Sequence, residues 1–150
     1  PALVIVDSKL ETPLDAQVWG AAQRRVIIYT AVPDPARQQP LRERGAEVIA
    51  LPDARGKVDL PAMLRDLGRR EVNEVHVEAG YKLNGSLERE GLVDEWLLYQ
   101  APLLLGQGQG VAAIGPLSAL ADGVRLEWRD VRRIGPDLRT LARAAGRADF

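Results

Sequence analysis

Short runs of consecutive branched apolar residues recur along the first half of the chain, and they constrain the fold more than any other feature. Runs that are apolar on both faces are typical of strands in a parallel sheet, because helices cover that sheet on both sides. The pattern predicts four such strands: Ala2–Val6, Val26–Tyr29, Ala46–Ala50 and Val75–Val77.

The segments between these runs have helical character. Asp34–Arg44 and Asp59–Arg69 are predicted helices, and in the second the leucines and the methionine recur at helical spacing after Asp59, a residue suited to capping. A third helix is predicted from about Asn84 to Glu90, with Gly91 as the residue that ends it. Strands that alternate with helices indicate a sheet with helices on its faces.

The pattern changes in the second half of the chain. Glu95–Ala101 is a predicted strand that Pro102 closes, and the glycine-rich stretch from Leu103 to Gly115 is a predicted loop. Val124–Ile134 alternates apolar and polar residues, and Leu138–Leu141 can return as its antiparallel partner. We therefore predict one α/β domain over residues 1–150, a three-layer mixed sheet, mostly parallel, with antiparallel strands at its C-terminal edge.

Composition narrows the possible partners and sites. Twenty basic residues against 21 acidic ones give a net charge of −1, which offers no field for nucleic acid or an anionic membrane. The absence of cysteine and the single histidine argue against a structural metal site. No apolar run is long enough for a membrane span and the first residues do not have the layout of a signal peptide, so we expect a cytoplasmic protein. The start without methionine is interpreted as a cut.

The stretch from Gly80 to Ser86 is the first candidate site. A strand that runs through a glycine-bracketed turn into a helix leaves backbone N–H groups free for a phosphate or pyrophosphate. Gly80 and Gly85 have the spacing of a P-loop, but Ser86 stands where that motif needs lysine, which argues against a nucleotide triphosphatase. Two glycines at an ordinary turn are the alternative interpretation.

Three further side chains are candidates. Glu78 can accept hydrogen bonds from a substrate or can be a charge near a helix terminus. His76 can pair with it in catalysis, although a solvated strand histidine is the favoured interpretation. Ser8, beside Lys9 at the end of the first strand, suits the 2′-phosphate of an adenine dinucleotide or is part of a solvated turn.

Several motifs together resemble the reductase half of the bifunctional deaminase/reductase of riboflavin biosynthesis. They are Val77–Leu87 (VEAGYKLNGSL), Glu90–Glu95, Tyr99–Gly106 (YQAPLLLG), Val6-Asp7-Ser8 with Pro13-Leu14, and Ile134–Leu138. The resemblance implies a dihydrofolate-reductase-like fold, and hydride transfer from NADPH that opens the ribose of 5-amino-6-(5-phosphoribosylamino)uracil to give the ribitylamino product.

The same resemblance implies roles for individual residues. Cofactor phosphates would bind Gly80, Tyr81, Lys82, Leu83, Asn84, Gly85 and Ser86. Ser8 would contact the adenosine end and Glu78 the substrate, while no catalytic residue is assigned. Tyr81-Lys82 departs from the proline-threonine frequent in the family, which weakens the case for those two side chains but not for the backbone contacts.

The family also carries an N-terminal segment that precedes the first motif matched here. The chain is therefore expected to be a reductase domain truncated at its N-terminus and inactive alone. Two alternatives stay open: a non-catalytic nucleotide-binding or assembly module, and a reductase of the same fold for another pterin-like or pyrimidine substrate. A homodimer is expected, with Glu95–Leu105 as an apolar surface for self-association.

Overall fold

A computed structural model describes residues 1–20 and 24–146. The chain divides into two compact units, Pro1–Val75 and His76–Phe150, which are described separately. No helix in the described ranges is both long and apolar enough to span a bilayer.

The first unit is built on a parallel sheet. Its strands are β1 (Leu3–Val6), β2 (Val26–Thr30) and β3 (Glu47–Ala50), in the order β1-β2-β3. Ile5 lies beside Ile28, and Ile28 lies beside Val48. The first three predicted strands are confirmed, each within one or two residues of its expected bounds.

Two helices come after the second and third strands. They are α1 (Pro35–Glu43) and α2 (Leu60–Arg69). Each has an aspartate cap: Asp34 accepts a hydrogen bond from the Ala36 N–H at 2.9 Å, and Asp59 accepts one from the Ala62 N–H at 2.8 Å. These carboxylates satisfy N–H groups that a helix leaves unpaired, which explains where both helices begin.

The core of the first unit lies on both faces of β2, whose five residues are all buried. On one face Val26 and Ile28 pack with Leu41 of α1 and Val48 of β3. Tyr29, whose side chain alternates to the other face, donates a hydrogen bond at 2.7 Å to Asp66 of α2. The sheet is therefore the middle of three layers.

The second unit combines one helix with an antiparallel sheet. It contains α3 (Tyr81–Arg89), β4 (Trp96–Gln100), β5 (Leu126–Ile134) and β6 (Asp137–Ala144), with strand order β4-β6-β5. The Trp96 indole donates to the Glu88 carboxylate at 2.9 Å and ties α3 to the sheet. The strands predicted at Glu95–Ala101, Val124–Ile134 and Leu138–Leu141 are confirmed, as is the antiparallel pairing of the last two, and β5 carries a bulge between Trp128 and Asp130.

Two local predictions need correction. Val75–Val77 is not a strand: it has no hydrogen-bonded strand partner among the described residues, and both valines are exposed. An apolar run becomes a strand only when a neighbouring strand satisfies its backbone groups. The third helix begins at Tyr81 rather than Asn84, so the residues expected in a turn form its first turn.

The mixed α/β class, with a parallel part and an antiparallel part, is confirmed. Its two parts are two three-stranded sheets within the described ranges rather than one sheet.

Candidate functional site

The first turn of α3 presents open hydrogen-bond donors. Gly80, in extended conformation, precedes the helix and offers no side chain to cap it, and its carbonyl accepts from the Asn84 N–H at 3.2 Å. The N–H groups of Tyr81, Lys82 and Leu83 have no acceptor among the described residues. Unlike α1 and α2, this helix keeps its N-terminal donors for a group outside the unit, and such donors favour an anion.

The space around this turn is accessible. A Cβ added at Gly80 would meet nothing within 4 Å. Lys82 is exposed and forms no ion pair in the described part of the chain, so its ammonium adds positive charge next to the donors. The arrangement can bind phosphate oxygens through backbone N–H groups and one cation.

A segment of the glycine-rich loop packs on the same helix. The Ala113 N–H donates to the Tyr81 carbonyl at 2.9 Å, and the Asn84 amide donates to the carbonyls of Ala79 and Val111 at 3.2 and 3.0 Å. Arg89 donates to the Ala113 carbonyl. The sequence placed a loop here but gave no sign of this contact, because its partners are far apart along the chain.

Gly85 is explained by that packing. It is buried, and a Cβ built on it would overlap the backbone of Ala113. Gly85 is among the residues expected to bind cofactor phosphates, but the neighbour that requires the missing side chain is the Ala113 backbone of the chain itself.

The seven residues predicted to hold phosphates therefore occupy different surroundings. Gly80, Tyr81, Lys82 and Leu83 form the open end of the helix, while Asn84 and Gly85 hold the loop segment. The Ser86 hydroxyl donates to the Lys82 carbonyl at 3.1 Å and accepts from Arg89 at 3.0 Å, so it braces the helix.

Glu78 lies just before this turn and is highly exposed, with a side chain 86% accessible. His76 Nε2 lies 3.7 Å from Glu78 Oε1, a pairing that is ionic only when the histidine is protonated. Between exposed groups such a contact contributes little to stability. Both side chains are free to meet a ligand.

Ser8 lies in the first unit, beyond the carboxyl end of β1. Its hydroxyl oxygen accepts from the Val58 N–H at 3.1 Å, and its carbonyl accepts from the Ala31 N–H at 3.3 Å. A hydroxyl that accepts in this way keeps its proton to donate to a ligand. Ser8 lies in the first unit and Glu78 in the second, and the binding roles expected of these two residues stay predictions.

The neighbouring Asp7 is held by its own loop. Burial raises the pKa of Asp7, but hydrogen bonds from the Thr12 hydroxyl and from nearby backbone N–H groups outweigh it and lower the pKa overall. Thr12 donates to one oxygen at 2.6 Å through its hydroxyl and at 2.7 Å through its N–H. Asp7 is thus a structural anion that fixes the turn after β1.

No group of three or more potential metal ligands occurs in the described ranges. Nothing in the open turn of α3 resembles a metal site, because its donors are N–H groups rather than oxygens or thiolates.

Comparison with known proteins places these features in a family. Residues 1–140 match the family model described as the RibD C-terminal domain. The riboflavin biosynthesis protein RibD of Escherichia coli is 37% identical over 91 residues, covering 60% of this chain and 25% of that protein. A Buchnera aphidicola protein named 5-amino-6-(5-phosphoribosylamino)uracil reductase is 31% identical over 90 residues, covering 59% of this chain and 44% of its own length.

A solved structure extends the similarity to the fold. RibD of Acinetobacter baumannii aligns with a TM-score of 0.78 and 25% identity, over 97% of this chain and 38% of that one. Such reductase domains have a dihydrofolate-reductase-like fold. The chain spans less than half the length of each of these three proteins.

Proposed function

The chain belongs to the RibD C-terminal domain family, and we propose that it forms part of an NADPH-dependent reductase of riboflavin biosynthesis. The proposed substrate is 5-amino-6-(5-phosphoribosylamino)uracil, which the name of the Buchnera relative gives as its substrate. The proposed reaction reduces this substrate to its ribitylamino product. The observation that carries the proposal is the open N-terminus of α3, which lies within the matched region and carries three N–H donors without acceptors among the described residues.

The residues present fit the diphosphate of a nicotinamide cofactor. Tyr81, Lys82 and Leu83 supply N–H donors, and Gly80 leaves the space that a ligand needs to reach them. We assign these four to direct phosphate contact, and we assign Asn84, Gly85 and Ser86 to the same site as the residues that hold its shape. Ser8 is assigned to the adenosine end.

Bound NADPH would supply the hydride that reduces the ribose carbon. The residues of this chain bind and orient the reactants. Holding the cofactor and the substrate in the correct relative position removes much of the entropic cost of the reaction. Glu78, exposed just before the phosphate-binding turn, is proposed to accept a hydrogen bond from the substrate. No side chain of this chain is assigned a proton-transfer role.

The domain organisation is part of the proposal. The chain is proposed to contribute the C-terminal part of one reductase domain, and the pieces of relatives that it does not span are proposed to complete substrate binding. By itself the chain is expected to bind cofactor phosphates and to catalyse the reduction of the pyrimidine slowly or not at all.

Assembly and location are proposed as well. Leu97, Tyr99 and the run from Leu103 to Leu105 are exposed apolar residues on and after β4. A homodimer would cover them, which supports the predicted self-association through Glu95–Leu105. A biosynthetic reductase that uses NADPH is proposed to act in the cytoplasm.

One experiment separates this function from its alternatives. The full-length protein is titrated with NADPH and NADH, and oxidation of each is then followed with the phosphoribosylaminouracil. Oxidation that depends on this substrate supports the proposal. Binding without oxidation favours a nucleotide-binding module, and oxidation with another pyrimidine or pterin favours a same-fold reductase of a different substrate.

A further inference from the structure

Three glycines lie within five residues of the loop that follows β4, at positions 106, 108 and 110. Residues 106–110 (GQGQG) are called the glycine strap below. None of the three glycines has a left-handed backbone, and a Cβ added at Gly106 or Gly108 would meet nothing within 4 Å. A Cβ at Gly110 would make an ordinary contact with the Tyr81 ring, at 3.5 Å. The conformation of the strap in this structure therefore does not require glycine at these positions.

Several other glycines of the same unit are explained by the fold. Gly85 lacks a side chain because the Ala113 backbone occupies that space, and Gly91, Gly115 and Gly135 have a positive φ. Where neither reason applies, glycine is used in segments that change conformation or that a ligand approaches closely. The composition of the glycine strap thus points to a second conformation, to a bound ligand, or to both.

The end of the strap is fixed on α3. Directly after it, the Val111 carbonyl accepts from the Asn84 amide at 3.0 Å, and the Ala113 N–H donates to the Tyr81 carbonyl at 2.9 Å. The last residue of the strap, Gly110, lies against the Tyr81 ring. The strap therefore joins α3 at its first turn, beside the open N–H donors of that helix.

The strap is exposed along its length. Residues 106–110 form no hydrogen bond with any residue that the structure describes, and this includes the side-chain amides of Gln107 and Gln109. Five residues in extended conformation reach about 17 Å, which is several times the pitch of about 5.4 Å of one helical turn. The strap is thus long enough to cross the first turn of α3, and it would break no hydrogen bond of the described residues in doing so.

Tyr81 connects the strap with the open donors. Its N–H is one of those donors, and its ring is the surface on which Gly110 rests. The ring is half-buried, and its hydroxyl forms no hydrogen bond with the described residues, so the contact with the strap is made by the ring alone.

We propose that the glycine strap is a lid that closes over a cofactor bound at the open end of α3 and slows its release, with the contact between Gly110 and the Tyr81 ring as its pivot. This inference rests on the proposed function for the identity of the ligand. In the closed position the amides of Gln107 and Gln109 donate to the ligand, and the glycines let the strap backbone approach it closely. Closure of a loop in this way retains a ligand and excludes water from it.

The test uses the full-length protein with NADPH as the probe. Amide hydrogen exchange is followed by mass spectrometry on peptides that contain residues 104–112, with and without NADPH. The dissociation rate of NADPH is measured by stopped-flow fluorescence on the wild type, on the double variant Gly106→Ala with Gly108→Ala, and on Tyr81→Ala and Tyr81→Phe. Gly20→Ala is the matched control, because a Cβ at Gly20 also meets nothing and its φ is not positive, but it lies in the first unit.

We expect the strap amides to exchange rapidly in the free protein, since no hydrogen bond protects them, and to be protected when NADPH is bound. The double alanine variant should unfold at or above the wild-type temperature, because alanine fits the free structure and restricts the unfolded chain. It should release NADPH several-fold faster, with an association rate close to that of the wild type, because a lid closes after the ligand has bound.

The Tyr81 variants test the pivot. Tyr81→Ala is expected to release NADPH faster, and Tyr81→Phe to restore slow release, because phenylalanine keeps the ring that contacts Gly110. Both variants keep the N–H of residue 81, so a loss in the alanine variant alone reports the strap contact rather than the open donor. Thermal transitions of both variants show whether they fold.

The outcomes separate this inference from the proposed function. Strap amides that exchange equally fast with and without NADPH would overturn the lid, and so would a double alanine variant that releases NADPH at the rate of Gly20→Ala. In either case the proposed reaction stands if the pyrimidine is still reduced. Protection of the strap by NADPH without reduction of the pyrimidine supports the lid and removes the proposed reaction, and a protein that does not bind NADPH would contradict both.

Discussion

Gly85 shows at the level of one residue how the site is held. Gly85→Ala places a methyl group against the Ala113 backbone, and such overpacking costs about 1–3 kcal/mol. We expect a lower free energy of unfolding in chemical denaturation. Gly68→Ala is the matched control, since a Cβ there meets nothing and alanine is favoured in helices by about 1 kcal/mol. A Gly85→Ala protein as stable as Gly68→Ala would contradict the packing of Gly85 against Ala113.

Asp66 supports the first unit through a partly buried hydrogen bond. Tyr29 is fully buried and its hydroxyl donates to Asp66, while Arg70 donates to the same oxygen at 2.6 Å. These bonds, the one from Tyr29 foremost, lower the pKa of Asp66. Asp66→Asn removes a charged acceptor of the hydrogen bonds from Tyr29 and Arg70. We expect this change to lower the free energy of unfolding by about 1–3 kcal/mol at neutral pH.

The pH dependence of that loss has a definite sign. A carboxyl whose pKa is lower in the folded state stabilises the protein above its unfolded pKa, about 3.9, and this stabilisation is lost as pH falls through the folded value. The difference in unfolding free energy between wild type and Asp66→Asn should therefore shrink below about pH 4. Asp15→Asn, at an exposed aspartate, is the control for the loss of one carboxylate from the surface. A gap that is constant with pH would argue against the ionised Asp66.

The sequence predicts the role of a residue when that role depends on the next few residues of the chain. It does not predict a role that depends on residues far away in the sequence. Asp59 caps its helix as predicted, because that role depends on the residues directly after it, whereas the helix after Gly80 begins at Tyr81 rather than at the predicted Asn84. The requirement for glycine at position 85 depends on Ala113, about 28 residues further along the chain, and no local pattern encodes that contact.

At the level of elements, α3 is expected to bind an anion through its first turn. Lys82→Glu replaces a cation beside the open donors with an anion, and charges near a helix terminus usually contribute about 0.3–1 kcal/mol each. We expect a several-fold rise in the dissociation constant for NADPH. The rise should be largest at low salt, because salt screens the interaction between an exposed side-chain charge and the cofactor phosphates. Arg65→Glu, an exposed reversal on α2, controls for net charge. Equal effects of the two reversals would remove the assignment of Lys82.

The elements also show why part of the fold was predictable. β1 and β3 are apolar runs that each pair with the apolar β2, so the sequence pattern and the pairing agree. Val75–Val77 has the same pattern but no partner strand in the described part of the chain, and its conformation differs accordingly. Apolar character predicts that a segment can form a strand, whereas pairing decides whether it does.

For the molecule as a whole, self-association is the next test. Leu104 is fully exposed, Leu105 is 78% exposed, and Tyr99 of β4 is 61% exposed. We expect the double change Leu104→Asp and Leu105→Asp to convert a dimer of the full-length protein into a monomer in sedimentation velocity. Leu120→Asp is the control, since Leu120 is equally exposed but lies outside this run. A dimer that withstands the double change would place its interface elsewhere.

The central claim is that this chain is part of a reductase that uses NADPH on a phosphoribosylaminopyrimidine. The most direct measurement incubates the full-length protein with NADPH and 5-amino-6-(5-phosphoribosylamino)uracil, and monitors both cofactor oxidation and the mass of the pyrimidine product. The account predicts oxidation that requires the pyrimidine and a product that has gained two hydrogen atoms. Gly80→Val should greatly reduce this turnover, because a branched side chain would occupy the space before the open N–H groups. An unchanged pyrimidine in the presence of tightly bound NADPH would contradict the claim.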